Sequence, residues 1–286
     1  MKPAAFTYHA PTTVDEAVAL LAQYAPEDGR ILAGGQSLVP TMAFRLARPP
    51  HLIDINNVEG LDVISTEGDA IAIGARVRHA TFHNEVCEGP LGALLTKVAA
   101  KIAHLPIRLR GTFCGSVAHA DPASEWCAVA ATMDATMVAK SSRGERLIPA
   151  ADFFETVMTT ALAEDELLAE VRIPTLPMDA KVGFQEFSRR AGDFAIAMAV
   201  AVYREEGGKI TDARIGVGGA EDRPRRIAEA EAALNGQAAG PDAFDAAAEA
   251  ASAAVDPMED AQNTADYRRD LVRAMVRRAL DDAAKG

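Results

Sequence analysis

Arg30-Ile-Leu-Ala-Gly-Gly-Gln-Ser-Leu38 is a short apolar run that breaks into two glycines and then into polar residues. The apolar run predicts a buried strand, the glycine pair predicts a turn, and Gln36 predicts the start of a helix. Because glycine has no Cβ, backbone amides can close around an anion here, and the N-terminus of a following helix attracts negative charge. Ser37 can add a hydroxyl donor. The stretch is therefore either a phosphate-binding loop or a tight strand-to-helix turn.

The length and composition of the chain limit the kind of protein it can be. Its 286 residues are enough for two or three domains, and 49% of them are apolar, which allows a sizeable core. Only 5% are aromatic, so that core is largely aliphatic. The 29 basic and 41 acidic residues give a net charge of −12, which argues against a general nucleic-acid or anionic-membrane binder.

The three cysteines, Cys87, Cys114 and Cys127, form no C-x-x-C pair. On their own they cannot complete an iron–sulfur cluster or a structural zinc site, and they fit a reducing compartment better than a disulfide framework. The first residues show no signal-peptide core, and no later segment has about 18 unbroken apolar residues. We therefore expect a cytoplasmic protein without stable membrane insertion and without a metal ion of its own.

The pattern of elements predicts an α+β protein in three parts. Residues 1–55 indicate an α/β layer in which Thr13-Val-Asp-Glu16 is a capping box that opens a helix. Residues 56–176 indicate a second α+β part, with helices predicted over residues 81–87 and 91–102. After a proline-containing joint, residues 177–286 predict three antiparallel strands followed by helices. The strands are predicted at 182–190, 194–204 and 209–218, and the helices at 224–234, 241–253 and 264–280.

A second stretch rich in small residues is Arg110-Gly-Thr-Phe-Cys-Gly-Ser-Val-Ala-His-Ala-Asp-Pro-Ala-Ser-Glu-Trp126. Its small side chains allow the backbone to lie against a flat or phosphorylated ligand. Asp121 and Glu125 suit the hydroxyl groups of a ribityl chain or ribose, because an ionised carboxylate accepts hydrogen bonds from two hydroxyls. The stretch therefore predicts a second part of a binding site.

Other constellations give weaker grounds for a function. Residues 216–221 resemble the start of a dinucleotide fingerprint but carry an acid at the third glycine position, so a tight strand exit is the default interpretation. His79 and His83 form either a metal pair or the start of a surface helix, and no third ligand stands at an obvious spacing. Cys114 near His119 indicates either a nucleophile with its base or a packed thiol. G-x-S-x-G is absent, and we predict no catalytic residue in this chain.

Four ordered motifs together resemble one known family. They are Ala33-Gly-Gly-Gln-Ser-Leu38, residues 111–125, Glu166-Leu-Leu-Ala-Glu-Val-Arg-Ile-Pro174 and Phe187-Ser-Arg-Arg-Ala-Gly-Asp-Phe-Ala195. In this order they resemble the medium, FAD-binding subunit of the molybdenum hydroxylases, the xanthine dehydrogenase and carbon monoxide dehydrogenase family. The resemblance spans essentially the whole chain. It implies a two-part FAD-binding domain of the PCMH type, followed by a C-terminal domain of three antiparallel strands and a helix bundle.

The resemblance also implies which residues contact FAD. The pyrophosphate would lie against Leu32, Ala33, Gly34, Gly35, Gln36, Ser37 and Leu38, and a second clamp would consist of Thr112, Cys114, Gly115 and Ser116. The remaining implied contacts are Glu125, with Asp121 ranked lower, for FAD hydroxyls, Leu168 for the isoalloxazine, and Phe194 as a shield of one flavin face. Two positions depart from the family pattern. Cys114 stands where glycine is usual, and Gln185 stands where several members have a lysine near the flavin.

The function implied by the resemblance is electron relay. A substrate would be hydroxylated at a molybdopterin centre in a large partner subunit, and electrons would cross two [2Fe–2S] clusters in a small partner. FAD in this chain would pass them to an external acceptor, within a dimer of heterotrimers. The cofactor then carries the chemistry, which agrees with a chain that has no catalytic residue. Two rivals remain, a self-contained flavin oxidase or reductase of the same fold and a non-catalytic scaffold protein whose glycines are structural.

Overall fold

The computed structural model describes residues 2–286. The elements of its N-terminal layer are β1 (Thr7–His9), α1 (Val14–Tyr24), β2 (Arg30–Leu32), α2 (Leu38–Ala43) and β3 (His51–Asp54). The strands form a parallel sheet in the order β1-β3-β2. The predicted capping box of α1 is confirmed, because the Thr13 hydroxyl accepts the Glu16 N–H at 3.2 Å and the Glu16 carboxylate accepts the Thr13 N–H at 3.4 Å.

The helix after the two glycines begins at Leu38, later than Gln36, the predicted start. Gly35 has a left-handed backbone conformation with a φ of +72°, and residues 36 and 37 continue the turn that it begins, so regular helical structure starts after them. Ser37 stands at the N-cap, but its side chain makes no capping hydrogen bond. The Ser37 hydroxyl is therefore free to bond to a ligand.

The middle of the chain is built on a five-stranded antiparallel sheet. Its elements are β4 (Ile64–Glu67), β5 (Ala70–Gly74), α3 (Pro90–Ala99), α4 (Leu105–Arg108), α5 (Phe113–His119), α6 (Glu125–Thr132), β6 (Thr136–Ser141), β7 (Gly144–Pro149), α7 (Ala150–Phe153), β8 (Phe154–Thr156), β9 (Thr159–Thr160) and β10 (Leu167–Pro174). The sheet order is β4-β5-β10-β6-β7, and β8 and β9 form a separate hairpin. The glycine-rich stretch of residues 110–126 therefore contains α5 and ends in the first turn of α6.

The helix predicted over residues 81–87 is wrong. Residues His79–His83 form a short 3-10 helix, and the next helix along the chain is α3. Only His79 and Phe82 are buried in this short helix, so the segment has no continuous apolar stripe to hold an α-helix against the core.

Trp126 anchors the core beneath the second glycine-rich stretch. Its ring centroid lies 5.0 Å from that of Phe82 and 4.7 Å from that of Phe113, and all three side chains are fully buried. Phe113 is the first residue of α5, and Trp126 follows the first residue of α6. The aromatic cluster therefore fixes the start of α5, where the predicted clamp residues stand.

The C-terminal part confirms the prediction of three antiparallel strands followed by helices. Its elements are β11 (Lys181–Phe187), β12 (Ala197–Glu206), β13 (Lys209–Gly218), β14 (Arg225–Arg226), α8 (Ala228–Leu234), α9 (Pro241–Ala254) and α10 (Ala265–Lys285). The short β14 adds a fourth strand, and it delays the start of α8 because Arg225 and Arg226 pair with β13. Within residues 2–286, no helix is both long enough and apolar enough to cross a membrane.

Strand β12 connects two hydrophobic cores. Met198, Val200 and Val202 belong to the core shared with the preceding parts of the chain, whereas Ala199 and Ala201 pack with the C-terminal helices. This division follows from the alternation of side chains along a strand. The C-terminal sheet is therefore packed on both faces.

Gly183 in β11 has no room for a side chain. A Cβ at this position would lie 1.9 Å from the backbone oxygen of Ala279 in α10. We predict that Gly183→Ala lowers the free energy of unfolding by about 3 kcal/mol, because a helix backbone must move away from the sheet. Urea unfolding measures the change. Gly240→Ala is the control, since a Cβ there meets open space; equal losses in both variants would contradict the close contact.

Candidate cofactor-binding site

The two glycine-rich stretches line one cavity of about 470 Å³. The residues implied by the sequence that line it are Leu32, Ala33, Gly34, Gly35, Gln36, Ser37, Leu38, Thr112, Gly115 and Ser116. Residues 32–38 begin at the end of strand β2 of the N-terminal sheet. Residues 112–116 stand at the start of α5, next to the aromatic core. The fold therefore brings together two stretches that are far apart in the chain.

Gly34 marks the point where the two stretches touch. A Cβ on Gly34 would lie 2.4 Å from the backbone oxygen of Arg110 and 2.6 Å from the Cα of Gly111. Both neighbours are backbone atoms, so a side-chain rotation cannot relieve the clash. Glycine at position 34 is therefore a requirement of the contact between the two stretches.

Four successive backbone N–H groups of the first glycine-rich stretch make no hydrogen bond within residues 2–286. The N–H groups of Gly34, Gly35, Gln36 and Ser37 donate to no acceptor within residues 2–286. At the second stretch, the Thr112 hydroxyl accepts the Gly115 N–H at 3.0 Å and so shapes the start of α5. Successive N–H groups of this kind form a binding site for a phosphate or another anion. Because α2 has only six residues, we assign the attraction to these donors rather than to a helix dipole.

The charge pattern around the cavity also suits an anion. Residues 29–53 and 89–120 contain no aspartate or glutamate, although the whole chain carries 41 acids. Both windows contribute to the cavity, whose lining residues among residues 2–286 include Arg30 and His119 but no acid, although Arg30 also pairs with Asp28 at 2.6 Å just outside the lining. This absence of acids is the sequence signal that could have added Arg30 and His119 to the predicted site.

His79 lines the cavity as a buried, neutral residue. Its Nδ1 accepts a hydrogen bond from the Trp126 indole at 2.9 Å, and burial lowers the pKa of His79 to about 4, with help from Arg78 and Arg108. The surface-helix interpretation is therefore wrong for His79. Within residues 2–286, no group of three or more potential ligands is placed to hold a metal ion.

The environment of the Cys114 thiol does not suit a nucleophile. It is buried and donates to the Ile73 backbone oxygen at 3.3 Å, and burial raises its pKa far above the usual range. His119 lies in the last turn of the same helix, in the larger cavity. The packed-thiol interpretation of Cys114 is therefore the one that the geometry supports.

A smaller cavity of about 90 Å³ adjoins the larger one and contains Leu168. The two cavities share Ile31, Ala33, Gly115 and Ala118, and the smaller one is also lined by Cys114 and Leu167. Its walls are mainly apolar, and they suit a flat ring system better than a phosphate.

Four of the FAD contacts that the family resemblance implies lie outside the two adjoining cavities. Asp121 and Phe194 line a third cavity of about 350 Å³, which shares only Met158 with the first, and Phe194 is 71% exposed. Glu125 is buried at the start of α6, and Gln185 is half-buried in β11; neither lines any of these three cavities. The fold thus gathers the glycine stretches and Leu168, and it leaves these four side chains outside that group.

Two residues that the sequence motifs did not mark tie the stretches together. The Asn56 amide donates to the Ala33 backbone oxygen at 2.8 Å, and the Arg78 guanidinium donates both to the Asn56 side-chain oxygen and to the Arg110 backbone oxygen. No motif or spacing in the sequence identifies either residue, because their partners are backbone atoms far away in the chain.

Comparisons with known proteins decide the family. Residues 4–176 match the family described as FAD binding domain in molybdopterin dehydrogenase, and residues 183–283 match the CO dehydrogenase flavoprotein C-terminal domain. This chain belongs to the FAD-binding medium subunits of the molybdenum hydroxylases. The medium subunit of nicotine 6-hydroxylase from Paenarthrobacter nicotinovorans is 38% identical to it over 99% of both chains.

A relative with a solved structure confirms the fold of this medium subunit. The medium chain of carbon monoxide dehydrogenase from Hydrogenophaga pseudoflava is 37% identical over 99% of this chain and 98% of the relative. A solved structure of that dehydrogenase matches with a TM-score of 0.95 and 38% identity, covering 100% of this chain and 99% of the matched chain. The predicted family and the predicted α+β fold are therefore confirmed.

The geometry of this medium subunit fits FAD. The larger cavity presents unpaired N–H groups beside Gly34, a position that a Cβ would fill, and this arrangement suits a pyrophosphate. The adjoining apolar cavity with Leu168 suits a flat ring. The two adjoining cavities therefore suit the two chemically different parts of FAD.

The protonation state of Glu125 differs from the one that the sequence interpretation assumed. Burial raises the pKa of Glu125 to about 8, and Glu186 and Asp121 add smaller effects in the same direction. At neutral pH the carboxyl is therefore mostly protonated, whereas the sequence interpretation assumed an ionised acceptor. A neutral carboxyl can both donate and accept a hydrogen bond, so it retains the capacity to bind a hydroxyl group.

The raised pKa of Glu125 makes the stability of the flavin-free chain depend on pH. Because the folded chain holds this proton with a pKa of about 8 instead of the usual 4.5, the contribution of Glu125 is largest below pH 4.5 and is lost as the pH rises through about 8. We predict that raising the pH from about 5 to about 9 lowers the free energy of unfolding of Glu125→Gln, which cannot ionise, by about 2 kcal/mol less than that of the unmodified chain. Urea unfolding across this range measures the difference.

The control for this prediction is Glu59→Gln, at an exposed glutamate of the same part of the chain. Its stability profile should follow that of the unmodified chain. Parallel pH profiles for Glu125→Gln and the unmodified chain would show that the Glu125 carboxyl is already ionised at neutral pH.

Proposed function

We propose that this medium subunit binds the FAD pyrophosphate between residues 34–37 and residues 112–116, as the electron-transfer subunit of a heteromeric molybdenum hydroxylase. The observation that supports this most is the cavity itself: it is lined by residues 34–37, whose N–H groups have no acceptor within residues 2–286, and by no acid of that range. In a chain with a net charge of −12, a cavity free of acids is a specific feature of the binding site.

When bound, FAD exchanges electrons singly or in pairs, which allows it to connect iron–sulfur clusters of a partner with an external acceptor. The residues of this chain bind and orient the cofactor. Thr112 shapes the start of α5, Gly34 and Gly35 admit the phosphates, and Ile31 and Leu168 provide an apolar wall for the ring. We infer that Phe194 and Gln185 act at the outer edge of the flavin, where the C-terminal part approaches the FAD-binding part.

The complex that we propose contains a small [2Fe–2S] subunit and a large molybdopterin subunit, with two copies of each subunit, and works in the cytoplasm. The multi-subunit part of this proposal is supported by the relatives, which are medium subunits or chains of a hydroxylase and a dehydrogenase. We also propose that the FAD-binding parts are residues 1–55 and 56–176 and that the C-terminal domain is residues 177–286. The shared core of the first two parts supports their action as one clamp.

Purification of the affinity-tagged chain from its native cells distinguishes the possible functions. We predict that FAD, iron and molybdenum copurify with the chain, because iron–sulfur and molybdopterin subunits accompany it. FAD without either metal would favour a self-contained flavin oxidase or reductase. A colourless chain that takes up no added FAD would contradict the proposal and favour a scaffold protein.

A further inference from the structure

A hydrogen-bonded chain runs behind the cavity from Tyr8 to Arg110. The Tyr8 hydroxyl donates to Asp54 at 2.7 Å, and Asp54 accepts the Asn56 backbone N–H at 2.8 Å and its side-chain amide at 2.5 Å. The same Asn56 amide reaches the Ala33 backbone oxygen at 2.8 Å. Asp54 therefore holds the Asn56 side chain in the orientation that contacts the first glycine-rich stretch.

Arg78 extends this chain to the second stretch. Its guanidinium donates to the Asn56 side-chain oxygen and to the Arg110 backbone oxygen. Arg110 is also the residue whose carbonyl lies against Gly34. The planar guanidinium of Arg78 thus bonds at the same time to Asn56, which holds Ala33, and to Arg110, which packs against Gly34.

The contact with Ala33 has a consequence for the direction of its peptide. In a trans peptide the C=O and the N–H point to opposite sides. Because Asn56 holds the Ala33 oxygen, the Gly34 N–H of the same peptide points the other way, and this N–H has no acceptor within residues 2–286. Gly34 lines the cavity, whereas neither Asn56 nor Arg78 does. The negative end of this peptide is thereby turned away from the place where an anion would bind.

We propose that Asn56 and Arg78 are positioning residues that set the two glycine-rich stretches in their FAD-binding arrangement before the cofactor arrives. The inference rests on the proposed FAD site. Without these two side chains, the Ala33 oxygen loses the Asn56 amide and the Arg110 oxygen loses the Arg78 guanidinium. Backbone bonds from His79 N–H to the Gly111 oxygen and from Phe113 N–H to the Val77 oxygen remain. FAD binding must then order the Ala33 peptide and its contact with Arg110, which reduces its affinity.

Arg76 offers a matched control. It lies two residues before Arg78, is also half-buried, and donates to the Val58 backbone oxygen with Asp62 3.7 Å away. None of these partners belongs to either glycine-rich stretch. Removing Arg76 therefore costs stability in the same part of the fold without releasing either stretch.

The test uses the full chain, stripped of flavin and titrated with FAD while flavin fluorescence is recorded. We expect Arg78→Met and Asn56→Leu each to raise the Kd for FAD by about tenfold or more, the size of one or two lost hydrogen bonds. Arg78→Lys keeps the charge but cannot contact both acceptors in the same plane, so it restores only part of the affinity. Arg76→Met should leave the Kd within about twofold of the unmodified chain.

A second measurement separates positioning from general destabilisation. Amide hydrogen exchange in the flavin-free chain should become faster at residues 33–37 and 110–112 in the Arg78 and Asn56 variants, and unchanged there in Arg76→Met. The double variant Arg78→Met/Asn56→Leu should lose less affinity than the sum of the single losses, because both residues act through one chain of hydrogen bonds.

Each outcome decides the inference. FAD bound equally well by the folded Arg78 and Asn56 variants would overturn it, and so would an equal loss of affinity in Arg76→Met. If Arg78→Met fails to fold, Arg78→Lys and Asn56→Leu carry the same comparison. An unmodified chain that binds no FAD would overturn the proposed function first, and the positioning role with it.

Discussion

The proposed FAD site depends on a contact between two backbones, Gly34 against the peptide of Arg110 and Gly111. There is no space for a Cβ at Gly34, so the approach of the two stretches is set by the main chain itself. The parallel sheet presents one stretch at the end of β2, and the cluster around Trp126 presents the other at the start of α5. Two separately built layers thus share a single cavity, and Asn56 and Arg78 connect them from behind.

The electrostatics of the site favour an anion and leave the redox chemistry to the cofactor. The acid-free windows of residues 29–53 and 89–120 contribute most of the cavity lining in an otherwise acidic chain. Burial keeps His79 neutral and keeps the Cys114 thiol protonated, so neither supplies a charged or nucleophilic group at neutral pH. A medium subunit with unpaired backbone donors and inert side chains suits a role in which FAD carries the electrons.

The sequence predicted what local patterns can encode. Capping residues, strand alternation and glycine-rich motifs identified α1, the C-terminal sheet and the two stretches of the cavity. The failures have physical causes. The turn that begins at Gly35 extends through Ser37, so α2 begins late, and the segment around Phe82 lacks the apolar stripe of a helix. The protonation of Glu125 and the contacts of Asn56 and Arg78 depend on burial and on distant backbone atoms, which no local pattern shows. The two glycine stretches named by the family resemblance line one cavity, and the FAD contacts of all the implied residues, including Phe194 and Gln185, stay predictions.

The FAD affinity of Gly34→Ala tests the central claim most directly, because it adds one methyl group at the contact between the stretches. We predict that the variant chain stays folded and that its Kd for FAD rises by about tenfold or more, since the backbones must separate to admit the Cβ. Gly240→Ala, where a Cβ meets open space, should bind FAD like the unmodified chain. Unchanged FAD affinity in a folded Gly34→Ala chain would contradict a binding site built on this contact.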